Sequence, residues 1–262
     1  MLRPPPQLTV SEWAERHRML GSRASAEPGP WRTSRTPYLK DVMDALSAVH
    51  PARRVVLMKG AQVGATESGN NWLGYIMHHV PAPALAVQPT VELAKRFSRQ
   101  RIDPLLEETP ALRERVAPAR ARDSGNTMLS KEFPGGILVL TGANSAVGLR
   151  SMTARFLFLD EVDAYPGDVA GEGDPIALAE ARARTFGWRR KAFLVSTPTI
   201  AGRSRTGPNG TSARALTTAA AARPSIATAA LHAPTPRTPP PASRATPAGP
   251  PAEPAPKSRW PA

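Results

Sequence analysis

Four short apolar runs constrain this chain more than any other feature: Arg53-Arg54-Val55-Val56-Leu57-Met58, Ala84-Leu85-Ala86-Val87, Phe156-Leu157-Phe158-Leu159 and Ala192-Phe193-Leu194-Val195. Within each run the apolar residues are consecutive, so each reads as a strand buried on both faces, the condition of a parallel sheet covered by helices. Helical patterns lie between the runs. Leu39, Val42, Met43, Leu46 and Val49 give an apolar face to a helix over 38–49 that Pro51 ends, and further helices fit 66–79, 91–102 behind Thr90 as N-cap, and 176–186. A shorter helix fits 11–15 with Ser11 as N-cap. Residues 127–133 and 137–141 flank Pro134-Gly135-Gly136 and predict a β-hairpin. Strands alternating with helices predict an α/β domain with a mainly parallel sheet flanked by helices.

This periodicity stops after Arg205. Residues 206–262 hold 13 of the chain's 30 prolines and 16 alanines, with Glu253 as their sole acidic residue. Such a composition cannot bury a core and predicts a disordered tail. The formal net charge of +13 divides into +5 from that tail and +8 from residues 1–205, so the folded part is itself basic and favours a polyanionic partner. With no cysteine in the chain, disulfides, thiolate zinc sites, iron–sulfur clusters and cysteine nucleophiles are excluded. The five histidines show no metal-ligand spacing, and the adjacent pair His78-His79 is expected at the surface or at a helix end. No apolar run approaches a membrane span and the first ten residues lack a signal-peptide core, which predicts a soluble cytosolic protein with no membrane partner.

In an open parallel sheet, ligands bind beyond the carboxyl ends of the strands. Three such ends carry unusual polar sequence. The first is Lys59-Gly60-Ala61-Gln62-Val63-Gly64-Ala65-Thr66. A phosphate-cradling loop reads G-x-x-x-x-G-K-[ST], its backbone amides and lysine binding phosphate and its hydroxyl binding Mg²⁺. Aligned on Gly64 and Thr66, Ala65 stands where the lysine belongs and Lys59 where the first glycine belongs. The lysine sits at the other end of the loop, from which its four-carbon stem still reaches the same oxygens. The competing reading makes this a tight strand–helix turn with Lys59 solvated. The second end is Asp160-Glu161-Val162-Asp163 after Phe156-Leu157-Phe158-Leu159, the pattern of the metal-side strand of a P-loop NTPase. Asp160 holds Mg²⁺ through water and Glu161 polarises the attacking water in that reading. In the other reading the carboxylates face a helix dipole. The third is Ser196-Thr197-Pro198-Thr199, whose hydroxyls suit a γ-phosphate contact or an ordinary turn.

Taken together, the displaced lysine of Lys59 to Thr66, the Gln88-Pro89-Thr90 turn, Asn144 to Arg150, Leu159 to Asp163 and Ser196 to Thr199 resemble the large terminase subunit of tailed bacteriophages, in the group that includes that of phage lambda. The resemblance covers roughly residues 8 to 205. It implies a P-loop ATPase using ATP and Mg²⁺, and a motor packaging double-stranded DNA into procapsids in the host cytoplasm. A small terminase subunit, the portal protein and further copies of the chain are its implied partners. Lys59 and Thr66 are then the phosphate and Mg²⁺ residues of the loop Lys59, Gly60, Ala61, Gln62, Val63, Gly64, Ala65 and Thr66. Asp160 is the metal-side acid, Glu161 the catalytic glutamate, and Ser196, Thr197 and Pro198 the coupling element. Tyr38 is offered for adenine stacking, with Leu39 where members often carry glutamine. The family continues into a nuclease with clustered carboxylates, which the composition after Arg205 cannot supply. The expected organisation is an N-terminal extension with a short helix (1–36), an ATPase domain incomplete at its C-terminal end (37–205), and a tail (206–262) that is a frameshift product if shifting the frame of the coding DNA near codons 203 to 207 restores an acidic, periodic continuation.

Arg150, just before the third apolar run, is a candidate for stabilising the transferring phosphate in its own or a neighbouring subunit, or else a solvated or DNA-contacting side chain. Arg96, Arg99 and Arg101 on one predicted helix, with Arg182, Arg184, Arg189 and Arg190 near another, form either a DNA-facing surface or a solvated face. Trp72 and Trp188 are assigned to packing. Two other functions fit the same residues: a helicase-like P-loop ATPase, against which Ala65 speaks, and a non-catalytic remnant that binds nucleotide or DNA weakly.

Overall fold

The computed structural model describes residues 7–22, 25, 27–116, 126–198 and 204–206. Of the predicted tail only its first residue, Thr206, lies among them, and it is buried. In chain order the elements are helix α1 (Val10–His17), a small ladder of β1 (Met19–Leu20) and β2 (Gly29–Pro30), helix α2 (Lys40–Ala45), strand β3 (Arg54–Met58), helix α3 (Ala65–His78), strand β4 (Ala84–Gln88) and helix α4 (Val91–Phe97). A π-helical turn, Ser98–Ile102, joins α4 to α5 (Asp103–Glu108), which α6 (Pro110–Arg113) follows. Then come β5 (Ser130–Phe133), β6 (Gly136–Gly142), α7 (Ala146–Arg150), β7 (Phe156–Asp160), α8 (Pro175–Ala181) and β8 (Lys191–Ser196).

The four apolar runs are neighbours in one six-stranded sheet of order β3-β8-β7-β4-β6-β5. All pairings are parallel except β5 with β6, the predicted hairpin, where Gly135 takes φ +88° in the turn. Within each run the side chains alternate between two separate cores. Val55, Leu57, Ala84, Ala86, Phe156, Phe158, Phe193 and Val195 face the layer that holds α1 to α6. Val56, Leu85, Val87, Leu157, Leu159, Ala192 and Leu194 face α7 and α8. Both faces are dry, which is why the runs show no polar alternation. Trp72 packs edge-on to Phe156 and Phe193 in the first core, as expected. Helix α3 lies close to the sheet because Gly69 offers no Cβ: one built there would drive into the Phe158 ring.

Several boundaries differ from the sequence reading, each for a local reason. The N-cap of α1 is Thr9, in a reciprocal capping box with Glu12, while the Ser11 hydroxyl donates to Asp44 Oδ1 at 2.5 Å. The helix predicted over 38–49 starts as a 3-10 turn, Pro37–Leu39, and its α-helical part ends at Ala45. There the buried Lys191 ammonium from β8 donates to the carbonyls of Ala45 (2.8 Å) and His50 (3.0 Å), satisfying groups that a longer helix would have bonded internally. Burial, and secondarily Arg155, lowers that lysine's pKa to about 7. Val49 is consequently 59% exposed rather than part of the apolar face. The helix predicted over 176–186 breaks into α8 and a 3-10 segment, Arg184–Arg189, kinked at Gly187, and Trp188 on it is 76% exposed instead of packed. His78 and His79 do sit at a helix end, yet both serve as acceptors: Trp13 Nε1 donates to His78 Nδ1 (3.0 Å) and the Leu8 amide to His79 Nε2 (3.1 Å). Among the described residues no helix is long and apolar enough to cross a membrane.

Candidate nucleotide-binding site

Parallel pairing of β3, β8, β7 and β4 sends all four chains out of the same edge of the sheet, with Met58 level with Ser196 and Asp160 level with Val195. The residues that follow are therefore juxtaposed whatever their distance in sequence. The Lys59 amide donates to the Ser196 carbonyl (3.0 Å), extending the β3–β8 ladder by one residue into the site.

From Lys59 the loop turns through Gln62 at φ 57° and Gly64 at φ 78° to enter α3, and at Gly64 a left-handed backbone favours glycine. The start of α3 leaves first-turn amides without helical acceptors, the arrangement that receives anions. Tyr38 reaches across the loop, its hydroxyl donating to the Val63 carbonyl (3.1 Å). Leu39 packs beneath Gly64, where a Cβ would stand 3.3 Å from Leu39 Cδ1.

Lys59 is not solvated. It is 8% exposed, and its ammonium donates to Glu161 Oε1 at 2.6 Å and to Thr197 Oγ1 at 2.7 Å. Glu161 follows β7 in a left-handed conformation (φ 51°, ψ 51°), which turns its side chain back toward β3 and β8, and its Oε2 accepts from the Thr197 amide (3.2 Å). Lys59, Glu161 and Thr197 thus form a closed cluster from three neighbouring strand ends. The reading of these carboxylates as partners of a following helix dipole does not fit, since only a 3-10 turn, Val162–Ala164, follows Glu161.

Asp160, 3% exposed, accepts on Oδ2 from both Thr66 Oγ1 (3.3 Å) and Gln88 Nε2 (3.4 Å), while its Oδ1 is buried with no hydrogen-bond partner. Burial, and then the charge of Glu161, push its pKa up to about 6. A buried carboxylate with one unused oxygen beside a threonine hydroxyl suits a hard cation that takes its other ligands from phosphate and water. Among the described residues no cluster of three His, Asp or Glu side chains stands ready to hold a metal alone. Gln88, at the end of β4, escaped the sequence reading as a site residue, although its place in a strand-end Gln-Pro-Thr turn was legible.

Other candidates lie apart from this cluster. Ser196 Oγ accepts from the Asp163 amide (3.0 Å), Pro198 is exposed, and Thr199 falls outside the described residues. Arg150 closes α7 and pairs with Glu172 (2.9 Å) rather than with the site carboxylates. The three arginines of the 91–102 stretch do not share one face. Arg96 and Arg99 are exposed and line an open groove with Glu92 and Gln100, whereas Arg101 pairs with Glu67 (3.2 Å), the neighbour of Thr66, to which buried Arg18 also bonds.

Comparison with known proteins gives a consistent likeness. A family model described as phage terminase large subunit gpA, ATPase domain, matches residues 25–217. The terminase large subunit of Enterobacteria phage P21 is 29% identical over 199 residues, covering 76% of this chain and 30% of its own length. That of Escherichia phage lambda is 27% identical over 203 residues, covering 77% and 31%. The chain thus spans less than a third of the length of either relative. Among solved structures, the Thermus phage P74-26 large terminase ATPase domain is 19% identical with a TM-score of 0.43, over 59% of this chain and 63% of that one. The large terminase of a second, thermophilic bacteriophage is 19% identical with a TM-score of 0.42, over 61% and 39%.

Proposed function

The chain belongs to the family of phage terminase large subunit gpA ATPase domains, and on that premise we propose that it binds ATP with Mg²⁺ at the edge of β3, β8, β7 and β4 and hydrolyses it to move double-stranded DNA. The observation that carries this reading is the closed cluster of Lys59, Glu161 and Thr197 beside Thr66 and Asp160. These side chains come from distant parts of the sequence and are of the types that phosphoryl transfer needs.

Each residue has a distinct task. The loop amides and the start of α3 receive phosphate, and Lys59 adds the charge that the missing lysine at position 65 would have supplied. Thr66 and Asp160 are the residues that would hold Mg²⁺, which when bound neutralises charge on the phosphates. Without nucleotide, Lys59 neutralises Glu161. Phosphate competes for that ammonium, and Glu161, released, is free to take a proton from water. Thr197 touches both partners and so registers the exchange. Tyr38 stands over the loop for stacking on a base. Arg150, held by Glu172 at the end of α7, serves a neighbouring copy. Exposed Arg96 and Arg99 face the DNA, while Arg101 braces the loop through Glu67. The small terminase subunit and the portal protein are the remaining partners of the reading, and the host cytoplasm its setting.

The test is Mg²⁺-dependent ATP hydrolysis by the purified chain, with and without linear duplex DNA. Removing the transition-state contact of Lys59 or the base at Glu161 should lower kcat by about 10²- to 10³-fold. A rate unchanged in both Lys59→Ala and Glu161→Gln would refute the assignment. Nucleotide binding without measurable turnover in the wild type would favour a binding remnant instead.

A further inference from the structure

Asp163 has no task in the proposed hydrolysis, yet its amide and both its carboxylate oxygens are hydrogen-bonded. Its amide donates to Ser196 Oγ (3.0 Å), a hydroxyl that is itself fully buried at the end of β8. Its carboxylate accepts on Oδ2 from Ser204 Oγ (2.7 Å) and on Oδ1 from the Arg205 amide (2.6 Å). Arg205 is in turn pinned at its far end, donating to Asp174 Oδ1 (2.8 Å) and to the Pro166 carbonyl (3.0 Å). Thr206, buried beside them, shares a hydrogen bond with Ser204 (2.7 Å). One side chain therefore clasps the chain after β8 to the turn after β7.

That turn is the one Glu161 begins. Asp163 lies two residues on, inside Val162–Ala164, and the only backbone freedom between them is the left-handed junction at Glu161 and the tight 3-10 turn. A left-handed non-glycine residue is held by its surroundings rather than by its own preference, and here the surroundings are Lys59 and Thr197. The turn is closed by the Ala164 amide donating to the Glu161 carbonyl (2.9 Å), so a displacement of Glu161 has few residues in which to dissipate before Asp163.

We infer that Asp163 is a positioning residue that couples the state of Glu161 to the segment 204–206, so that release of Glu161 loosens the clasp on the chain after β8. The inference rests on the hydrolysis reading for its purpose, but its mechanical content does not need nucleotide.

Amide hydrogen exchange at Arg205 and Thr206 in the nucleotide-free protein tests it. Asp163→Asn, nearly isosteric, should speed exchange of the Arg205 amide at least about fivefold, because one charge-assisted acceptor is lost. The decisive variant is Glu161→Ala, which leaves every contact of Asp163 in place. Coupling predicts that it too speeds exchange at Arg205 by a similar factor, with the β5–β6 hairpin amides unchanged. Faster exchange in Asp163→Asn with none in Glu161→Ala overturns the inference and leaves Asp163 a local clasp. The same comparison in kinetics expects Asp163→Asn to lower kcat about tenfold with KM within about twofold, and equal loss in both variables overturns it as well. An absence of ATP turnover in the wild type would refute the hydrolysis reading while leaving the exchange result to stand on its own.

Discussion

Asp160→Asn isolates the electrostatic cost built into the site. The wild-type carboxyl titrates near 6 in the fold against 3.8 ordinarily, because burial and the neighbouring Glu161 oppose its ionisation. A folded-state pKa raised above the unfolded one means that the native state binds the proton more tightly. The contribution to stability is then full below about pH 4, is lost as pH rises through 6, and stays lost above. At about 1.4 kcal/mol per pKa unit, the gap corresponds to about 3 kcal/mol. For a domain of this size that is roughly 6 to 12 °C in Tm. Asparagine keeps an acceptor for Thr66 and Gln88 but does not ionise. The difference in unfolding free energy between wild type and Asp160→Asn, followed by urea denaturation in EDTA, should therefore change by about 3 kcal/mol between pH 4 and pH 8. The wild type is the one that loses stability as pH rises. Taking the difference cancels the titrating groups that do not interact with Asp160. Adding Mg²⁺ and ADP should stabilise the wild type more than the variant, since the cation of the proposed site would relieve a buried charge that asparagine does not carry. A difference flat in pH would refute the burial argument, and equal stabilisation of both proteins by Mg²⁺ and ADP would refute the place of Asp160 at the cation.

Three further outcomes follow from the packing. Gly69→Ala forces the Phe158 ring aside and should cost about 1–3 kcal/mol in denaturant titration, and an unchanged midpoint would mean that α3 shifts freely on the sheet. Burial, with the nearby charges of His17 and Arg115, lowers the His78 pKa to about 4, so its stabilising contribution is present above pH 6.5 and lost as pH falls through 4. The acid limb of the stability profile should flatten in His78→Gln, and a limb of unchanged slope would remove His78 as its cause. Trp188→Ala should leave Tm within about 2 °C, because the ring has no core to vacate, and a larger fall would show that it packs after all.

Part of this was readable from the residues. Consecutive apolar side chains can be buried in succession only on a strand covered on both faces, so Val55 to Met58 and its three counterparts announced a parallel sheet without any contact being known. The same chemistry announced the strand ends: Gly64 before Thr66 has few uses other than a turn into a helix, and Asp160-Glu161 after four apolar residues must emerge at a sheet edge. Element lengths were less legible. The end of α2 depends on Lys191, 146 residues away from Ala45 in sequence, and no local pattern encodes that donor. Trp188 looked like core because tryptophan usually is, but the kink at Gly187 turned it to solvent.

The sequence by itself determined which residues occupy strand ends and which faces must be dry, because both follow from side-chain period and backbone preference over a few residues. Only the tertiary structure decided what those ends do to one another. The order β3-β8-β7-β4 brought Lys59 onto Glu161 and Thr197 and set Gln88 and Thr66 on a single oxygen of Asp160, and the packing of the helices paired Arg101 with Glu67. Strand order is a global packing solution with no local signature. The pairings that make up the site, spanning as much as 138 residues between Lys59 and Thr197, exist only once that solution is reached.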